Sequence, residues 1–565
     1  MSSQLTSGFD RAISWSTFLL TTWIVAVPVG FLVYAALSGG YPGDPTNAFT
    51  LTHVAKVYAS TSYLQPLFNT LYLAFLTAIV VTPCGVLLAW LVARTDLRGK
   101  ETIGFLITVP IFISPLLGAL AWIALAAPDS GLINAWIGRG LLGLTSNLLN
   151  IYSFPSIVFV MSLFYVPLSY LLTVGNLMRL DGTLEEAGRT VGMTPVGVWF
   201  RVTLPLLWPT IVSAFLMIFI LAAEQFAVPA MLGVQGRFIT IPVILYQGFE
   251  SGMIPPGEVA ALATQLVAVT MLGVFLYRRM VRVARKYVVV TGKGSASKLV
   301  QLGRWQWAAL IAIGSYFALA VVLPCLALVI GSFQKFLTSR FSLSNWTLAN
   351  YVTVFEPNYL RIIWNTISLA AIGALITVAL GFLIGYLATR LKGVAVAGAD
   401  YVSSLPIALP GIAMAVGLLW TYAVLPLPVY GTAIILVIAF VARFIGYAAR
   451  LASTSFQQID PSLEEAGRMV GMTRLGVIRR VAFGIVSPSM ISAWTLVFAF
   501  IVVEVSTAIL LYTPKTATMA VAIFNAMQST GTVLGFTLAV VQLVLISAGL
   551  IVVRRLVGSL PTMAS

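Results

Sequence analysis

The sequence predicts an all-α polytopic membrane protein with about twelve transmembrane helices in two parallel six-helix repeats. Three observations support this fold class. Of the 565 residues, 59% are hydrophobic and only 9% are charged, which is far from the composition of soluble domains. About twelve stretches reach the roughly 20 apolar residues that cross a bilayer. A polar motif also occurs twice, at 184–194 and at 463–473.

The apolar stretches fall into two groups on either side of a basic linker. Each stretch is predicted to form one span, and no large water-soluble domain fits between them. The first group lies at about 16–37, 69–92, 103–126, 156–177, 210–232 and 258–276. The second lies at about 305–330, 363–387, 401–424, 431–449, 491–511 and 533–553. We therefore predict a first repeat at 1–286, a linker at 287–304 and a second repeat at 305–565.

Matching residues indicate that one domain was duplicated. Pro28 corresponds to Pro324 and Arg94 to Arg390, both at an offset of 296 residues, whereas the polar motif recurs at 279. The second repeat is therefore shorter by the difference between these offsets, and we assign the missing residues to the loop at 127–155. A constant offset over many positions is the sequence signature of an internal repeat.

The distribution of basic residues predicts the orientation. With the N-terminus inside the cell, most of the 32 Lys and Arg residues fall in cytoplasmic segments, as the positive-inside rule requires. Both termini, the linker and both polar motifs are then cytoplasmic, and the repeats are parallel rather than inverted. The net charge of +15 thus reflects topology. Nucleic acid binding is not expected, because no basic domain interleaved with aromatic residues is present.

Each polar motif carries signals for two short helices. Thr183 and Glu186 have the spacing of a capping box for a helix that begins near Leu184. Gly192 then lies where a left-handed residue ends such a helix. Thr194, followed by a proline, is typical of the start of a second helix.

The second copy repeats this pattern. Ser462 and Glu465 reproduce the capping-box spacing, and Gly471 takes the place of the helix-ending glycine. In the two eleven-residue motifs only Thr190 and Met469 differ. Polar segments this alike between apolar spans favour a shared docking function.

These residues resemble the EAA loop of the permease subunits of type I binding-protein-dependent ABC importers, which have the MetI-like fold. The first copy, near 181–209, has Glu-Ala-Gly at 186–188 and Val-Thr-Leu-Pro at 202–205. The second copy, near 460–488, has Glu-Ala-Gly at 465–467 but Phe-Gly at 483–484, where the family usually has Leu-Pro. Glycine also stands at 188 and 467, where alanine is usual. The resemblance covers nearly the whole chain as two fused permease domains.

The resemblance implies that this chain is a permease of the bacterial cytoplasmic (inner) membrane. Two copies of a cytoplasmic ABC ATPase subunit would bind ATP and Mg and dock on the two EAA loops. An extracytoplasmic solute-binding protein would deliver the solute, and the chain itself would need no cofactor. The residues expected to couple to the ATPases are Glu185, Glu186, Ala187, Gly188, Gly192, Glu464, Glu465, Ala466, Gly467 and Gly471.

An enzymatic role for this chain is not expected. The segment 292–295, Gly-Lys-Gly-Ser, lacks a glycine at the Walker spacing before its lysine, so the chain has no P-loop. The single histidine, His53, and two cysteines give no cluster for metal or nucleophile chemistry, which leaves a membrane-embedded enzyme little support.

Two acidic residues, Glu224 and Glu504, lie within predicted spans. Because an ionisable side chain at membrane depth is costly, such residues are candidates for the translocation path. The alternative is that they join helices through a polar neighbour such as Gln225 or Ser506, with Arg443 as a further partner. Two asparagines at 69 and 365 are predicted to stabilise helix contacts.

The substrate class is predicted first from resemblance. Residues 226–233 and 510–515 resemble the fused permeases for ferric iron, thiamine and 2-aminoethylphosphonate, which are relatives of the polyamine and sulfate permeases. Ferric iron is the first choice, since two carboxylates suit a hard cation. A different class of protein, an ion-coupled secondary transporter with two parallel halves, also accounts for the spans and acidic residues but not for the repeated motif.

Overall fold

The computed structural model describes residues 8–44, 47–180, 182–287, 299–338, 343–529 and 531–557. Within these residues the chain is helical, and its extended pairings are isolated bridges. Ten of the described helices are long and apolar enough to cross a bilayer, and two bent helix pairs raise the number to as many as twelve. The predicted all-α fold is confirmed. Most of the predicted linker, residues 288–298, lies outside the described residues.

The two repeats contain the same series of long helices. In the first they are Gly8–Ala36, Thr61–Arg94, the pair Lys100–Phe112 and Pro115–Ala126, Phe154–Arg179, Pro195–Ala223 and Pro256–Tyr287. In the second they are Trp305–Ser332, Pro357–Arg390, the pair Val394–Ala408 and Gly411–Val424, Ala433–Gln457, Val477–Val503 and Thr532–Val557. Shorter helices are Thr52–Ala59, Gly182–Thr190, Ile241–Ser251, Ala349–Val354, Ser462–Met469 and Met519–Gln528.

The segments predicted as spans at 103–126 and 401–424 each lie in a pair of helices joined at a sharp bend, and the predicted twelve spans are reached if each bent pair is one span. The chain bends by 90° in the first of these segments and by 118° in the second. In the first, the Ser114 hydroxyl accepts the N–H of Leu116 and Pro115 occupies the first helical position. In the second, Pro410 precedes the new helix. Because proline lacks an N–H and fits the first turn of a helix, each proline favours a fresh start over continuation.

The predicted spans at 210–232 and 491–511 end early. The helices stop at Ala223 and Val503, and the segments 224–240 and 504–518 continue in mostly buried, largely non-α-helical conformations. Non-helical backbone at membrane depth is tolerated only where protein covers it and its polar groups are paired. The Asn69 side chain donates to the carbonyl of Ile239 (2.8 Å) and that of Asn365 to the carbonyl of Lys515 (2.9 Å).

The adjacent threonines hold the ends of the same segments. The Thr70 hydroxyl accepts the N–H of Ile241 (2.9 Å), and the Thr366 hydroxyl accepts the N–H of Met519 (2.8 Å). The two asparagines thus act through the backbone of these segments, which refines their predicted role in helix contacts.

The repeats exchange their first helices. Gly8–Ala36 packs on the bent pair of the second repeat, and Trp305–Ser332 packs on the bent pair of the first. Contact is close enough that a Cβ on Gly417 would lie 2.5 Å from the carbonyl oxygen of Pro28. Buried apolar residues therefore form one core that includes residues of both repeats.

Candidate functional site

The two polar motifs form two elbows, which we define as residues 182–203 and 462–482. Each elbow consists of a short helix, a tight turn, and the start of the following long helix. The short helix is Gly182–Thr190 in the first elbow and Ser462–Met469 in the second. Both elbows therefore have the two-helix form that the sequence predicts.

The turn within each elbow requires glycine. Gly192 has a φ of 84° and Gly471 a φ of 82°, the left-handed region that other residues rarely adopt. In the first elbow, the N–H of Met193 bonds to the carbonyl of Gly188 (3.1 Å) and closes the helix end. The Thr194 hydroxyl then caps the following helix by accepting the N–H of Gly197 (3.1 Å). The glycine turn and the threonine cap are confirmed.

The predicted capping boxes were wrong in detail. The short helices begin at Gly182 and Ser462, so Thr183 and Ser462 lie inside them rather than before them. In the second elbow Asp460 accepts the N–H of Ser462 (2.9 Å). This backbone hydrogen bond, together with one from the Ser462 side chain, lowers the pKa of the Asp460 carboxyl. A carboxylate is a stronger acceptor than a hydroxyl, which favours the aspartate as the group that starts the helix.

The short helix and the following helix of each elbow, which we call its two limbs, pack closely at a glycine. A Cβ on Gly188 would lie 3.2 Å from the side chain of Val198, and a Cβ on Gly467 would lie 3.3 Å from that of Val477. These glycines replace the alanine usual at this position of the EAA loop. The tight contact makes each elbow a compact unit.

The paired glutamates of each motif have different environments. Glu185 and Glu464 are buried, whereas Glu186 is half-buried and Glu465 is exposed. Successive residues of a helix point about 100° apart, so adjacent residues lie on different faces. The structure therefore separates one inward-facing from one outward-facing glutamate in each elbow.

Each inward-facing glutamate is held by an arginine at the end of a long helix. Arg94 Nε lies 3.4 Å from Glu185 Oε1, and the Thr203 hydroxyl donates to the same oxygen (3.0 Å). In the second repeat, Arg390 Nε lies 2.6 Å from Glu464 Oε1. All four charged side chains are at most 12% exposed.

The same arginines also bind the chain that leads into each elbow. Arg94 donates to the carbonyl of Leu180 (2.8 Å) and Arg390 to that of Ile459 (3.0 Å). The Tyr386 hydroxyl donates to Glu464 (3.2 Å). Arg94 and Arg390 correspond in the sequences of the two repeats, but this role was not predicted from the sequence. The signal was available, since both arginines and both glutamates recur at corresponding positions.

The outer surface of each elbow is apolar as well as acidic. Exposed apolar side chains occur on both, with Val191 at 75% exposure, Met469 at 88% and Val470 at 75%. Ala187 and Ala466 are exposed beside them. Exposed apolar side chains grouped next to an acidic residue are typical of a protein interaction surface.

A second candidate site lies between the repeats, at Glu224, Arg443 and Glu504, which we call the charged centre. Arg443 Nη2 lies 2.8 Å from Glu224 Oε1. Glu504 Oε1 accepts the backbone N–H of Thr507 (2.9 Å) and its hydroxyl hydrogen (3.2 Å). Of the partners considered from the sequence, Arg443 is thus the one that binds Glu224, while neither Gln225 nor Ser506 binds these carboxylates in the described residues.

The charged centre has no metal-ligand cluster of the usual kind. Among the residues that the structure describes, no group of three or more His, Cys, Asp or Glu side chains is placed to hold a metal ion. The two acidic residues are accompanied instead by a guanidinium group. The charged centre can therefore form an ion pair between Arg443 and Glu224 across the boundary between the repeats.

The fold, the paired elbows and the charged centre define a multi-pass membrane permease made of two fused repeats. The chain belongs to the family of binding-protein-dependent transport system inner membrane components, which matches residues 81–290 and 377–559. It is thus a permease of an ABC importer, which confirms the resemblance drawn from the EAA loops. This membership argues against the ion-coupled secondary transporter and against a membrane-embedded enzyme.

Two permeases are similar over most of the chain, and a solved structure is similar over about half of it. A putative ferric transport system permease protein, FbpB 1 of Haemophilus influenzae, is 25% identical over 495 residues, which cover 86% of this chain and 76% of that protein. The ferric transport system permease protein FbpB of Actinobacillus pleuropneumoniae is 25% identical over 508 residues, with coverages of 88% and 72%. A crystal structure of a bacterial ABC transporter that imports alginate matches 49% of this chain and 98% of the matched chain, at 17% identity and a TM-score of 0.37.

Proposed function

We propose that this chain forms the path by which an ABC importer moves ferric iron across the bacterial inner membrane. In this proposal an extracytoplasmic binding protein delivers the iron, and two ATPase subunits dock on the elbows from the cytoplasm. The observation that carries the docking part is the twinned elbow. Two rigid helical units with matching glycine turns, buried Glu–Arg contacts and exposed acidic and apolar surfaces suit two identical partners.

The division of the paired glutamates supports separate roles within each elbow. Glu185 and Glu464 hold the elbow to the membrane helices through Arg94 and Arg390. The outward glutamates at 186 and 465, near the helix N-termini, offer carboxylates to a partner. A force that the partner applies to an elbow is then transmitted to the long helices through these buried Glu–Arg contacts.

The docking proposal is tested by reversing charge on the outward face. We expect Glu186→Lys with Glu465→Lys to lose the ATPase subunits on purification while the chain still inserts in the membrane. Glu356→Lys is the matched control, because Glu356 is exposed and precedes the helix that ends at Arg390. Undiminished ATPase recovery and transport in the double variant would contradict docking through the elbows.

Ferric iron as the solute is supported by the names of the similar permeases and by the two acidic residues of the charged centre. Oxygen ligands suit a hard cation. A permease that receives its solute from a delivery protein need not hold a selective site. Thiamine, 2-aminoethylphosphonate, a polyamine or sulfate are the alternative solutes for the same machinery.

The solute is tested on the partner binding protein and in cells. We expect the partner binding protein to retain iron on purification, and cells that lack this chain to lose uptake of radioactive iron supplied with that protein. Uptake of radioactive thiamine in the same cells is the control. Retention of another solute, with unchanged iron uptake, would replace iron while leaving the permease function intact.

A further inference from the structure

We propose that Arg443 is the residue that holds the translocation path closed, by bridging the first repeat to the break in the bent helix pair of the second. This inference rests on the proposed transport function. It gives the charged centre a gating role, in which the Arg443–Glu224 contact forms in the resting state and separates when the path opens.

The contact joins the two repeats at membrane depth. Arg443 lies in the middle of the helix Ala433–Gln457, and Glu224 directly follows Ala223 at the end of its helix. Their side chains are 14% and 9% exposed. Glu224 Oε2 and Arg443 Nε have no hydrogen-bond partner within the described residues. The pair is therefore a largely buried contact between the two repeats.

Arg443 also binds the break between the two halves of the bent pair. Its Nη1 donates to the carbonyl of Leu409 (2.6 Å). Thr270, from the last long helix of the first repeat, donates to the neighbouring carbonyl of Ala408 (2.6 Å). The 118° bend frees these carbonyls from helical bonding, and buried carbonyls require partners. A movement of the bent pair together with Arg443 relative to the first repeat must therefore break the bond from Thr270 to Ala408 and the contact of Arg443 with Glu224.

The corresponding site in the first repeat is apolar. At the offset of 279, Arg443 corresponds to Phe164, which packs where a Cβ on Gly118 would come within 2.1 Å of its ring. The acidic positions, in contrast, are kept in both repeats within one residue of that offset. The centre therefore holds two carboxylates and one guanidinium, and Arg443 makes its close contact with one of them.

Glu504 lies beside the same break. Its Oε1 would be 3.4 Å from a Cβ on Gly411, the first residue after the bend, and both carboxylates interact electrostatically with Arg443. Glu504 is held by Thr507, so it is satisfied without the arginine. Glu504 is therefore a second acidic residue beside the break that Arg443 binds, and it becomes the alternative partner of Arg443 when the contact with Glu224 opens.

A charged pair suits a gate better than an apolar contact at this position. A buried ion pair gains little over an apolar contact of similar volume, because desolvation offsets the attraction. Once water enters an open path, both separated charges are hydrated, whereas an apolar contact would expose surface that water disfavours. The pair can therefore close the path without making the open state costly.

The first test measures ATP hydrolysis by the full transporter in lipid vesicles, with its ATPase subunits and without its binding protein. We expect Glu224→Gln, Arg443→Met and the double variant each to raise the basal rate by about tenfold, the factor that corresponds to about 1.4 kcal/mol. The matched control is Arg450→Met. Arg450 lies on the same helix as Arg443, and its ion pair with Asp400 (3.2 Å) joins two residues of the second repeat. Basal rates equal to the control would overturn the proposal.

The second test does not depend on the charged side chains. Cys84 and Cys325 are the only cysteines, so Glu224→Cys with Arg443→Cys is made in a background in which both are serine. Because the contact is made by the ends of two long side chains, the two thiols are joined with a bifunctional methanethiosulfonate reagent rather than by direct oxidation. We expect this bridge to protect both thiols from maleimide labelling and to stop transport, with recovery on reduction. Failure of the thiols to cross-link in the resting state, or transport that continues once they have, would overturn the gate.

The two tests separate this proposal from the proposed function. If the parent transporter moves no solute and hydrolyses no ATP, the proposed function fails. If the parent is active but the variants match Arg450→Met, only the gate fails. A purely structural role for Arg443 would lower the amount of assembled transporter and leave the basal rate per transporter unchanged.

Discussion

Arg94 and Arg390 show how single residues fix the position of a whole elbow. Each guanidinium binds a buried glutamate and, through a second nitrogen, a backbone carbonyl just before the elbow. The planar, multi-donor guanidinium allows both bonds at once, which a lysine could not reproduce with the same geometry. Burial then makes the loss of either partner costly, because the other charge is left unpaired.

Replacing Arg390 with glutamine should therefore loosen the second elbow. We expect the free energy of opening the elbow helix to fall by about 3–5 kcal/mol, the cost of leaving a buried charge without its partner. Amide hydrogen exchange over residues 462–470 measures this change directly. Glu465→Gln is the control, because that carboxylate is exposed and its loss should change local stability by no more than about 0.5 kcal/mol.

The two variants distinguish the residue that holds the second elbow in place from the residue that contacts the ATPase subunit. Arg390→Gln should raise hydrogen exchange in the elbow and weaken ATPase recovery together, whereas Glu465→Gln should weaken recovery alone. Equal exchange rates in Arg390→Gln and the parent protein would show that Arg390 does not hold the elbow.

At the scale of elements, the elbows depend on two glycine positions with different physical requirements. Gly471 supplies the left-handed turn, with a φ of 82°. Gly467 supplies close contact between the limbs, where a Cβ would meet Val477 at 3.3 Å and Val481 at 3.4 Å. The first requirement is conformational and the second is steric, so substitutions at the two positions fail for different reasons.

Gly467→Ala should be tolerated and Gly467→Leu should not. A methyl group requires the valines to move by a few tenths of an ångström, and we expect a loss of less than about 1 kcal/mol, partly offset by the helix propensity of alanine. A leucine overfills the contact and should cost about 1–3 kcal/mol. Trypsin cleavage at the elbow and ATPase recovery measure the effect. Similar behaviour of the alanine and leucine variants would show that the limbs are not held by this contact.

Elements were predictable where local signals dominate. The long helices, the glycine turns and Thr194 as a cap follow from apolar length and backbone preference. The breaks after Ile113 and Leu409 also lie beside local signals, Pro115 and Pro410, whereas the segments that follow the early helix ends at Ala223 and Val503 do not follow from such preferences. Those segments are as apolar as a span, and their form depends on partners such as Asn69 that lie far away in the sequence.

The candidate sites were predictable to a similar extent. The repeated motif located the elbows, and charge within apolar sequence located Glu224 and Glu504. Neither signal predicts which glutamate of a pair faces inward, because that depends on Arg94 and Arg390 from another helix. Hydropathy also gives no means of telling that Arg443 reaches Glu224 rather than Glu504.

At the scale of the whole molecule, the exchange of first helices makes each repeat incomplete alone. Gly8–Ala36 belongs to the first repeat by sequence but packs on the bent pair of the second, and Trp305–Ser332 does the reverse. The Tyr316 hydroxyl adds a bond to the carbonyl of Leu163 in the other repeat (2.9 Å). Movement of the bent pair of the second repeat, as the proposed gate requires, therefore displaces the first helix of the first repeat.

The end of the linker makes a further connection to the first repeat. Val300 bonds to the backbone of Arg94 (2.9 Å) and Asp96 (3.1 Å), and the Asp96 side chain accepts the N–H of Leu302 (2.8 Å). The end of the linker is thus attached directly beside the arginine that holds the first elbow. This attachment links the start of the second repeat to the residue that holds the first elbow.

Gly417 offers a direct test of the helix exchange. Its backbone lies so close to the first helix that a Cβ would be 2.5 Å from the carbonyl oxygen of Pro28. Gly417→Leu must push Gly8–Ala36 away from the second repeat, and overpacking of this kind costs about 1–3 kcal/mol. Gly30→Leu is the matched control, since it lies on the same first helix and a Cβ there would have nothing within 4 Å.

We expect Gly417→Leu to lower the melting temperature of the purified transporter in detergent, and Gly30→Leu to leave it close to that of the parent. Because the first helix contacts the bent pair that Arg443 binds, Gly417→Leu should also raise basal ATP hydrolysis, whereas a defect confined to stability would not. A melting temperature unchanged by Gly417→Leu would mean that the first helix does not join the repeats as the structure indicates. A lowered melting temperature with a normal basal rate would separate the helix exchange from the gate.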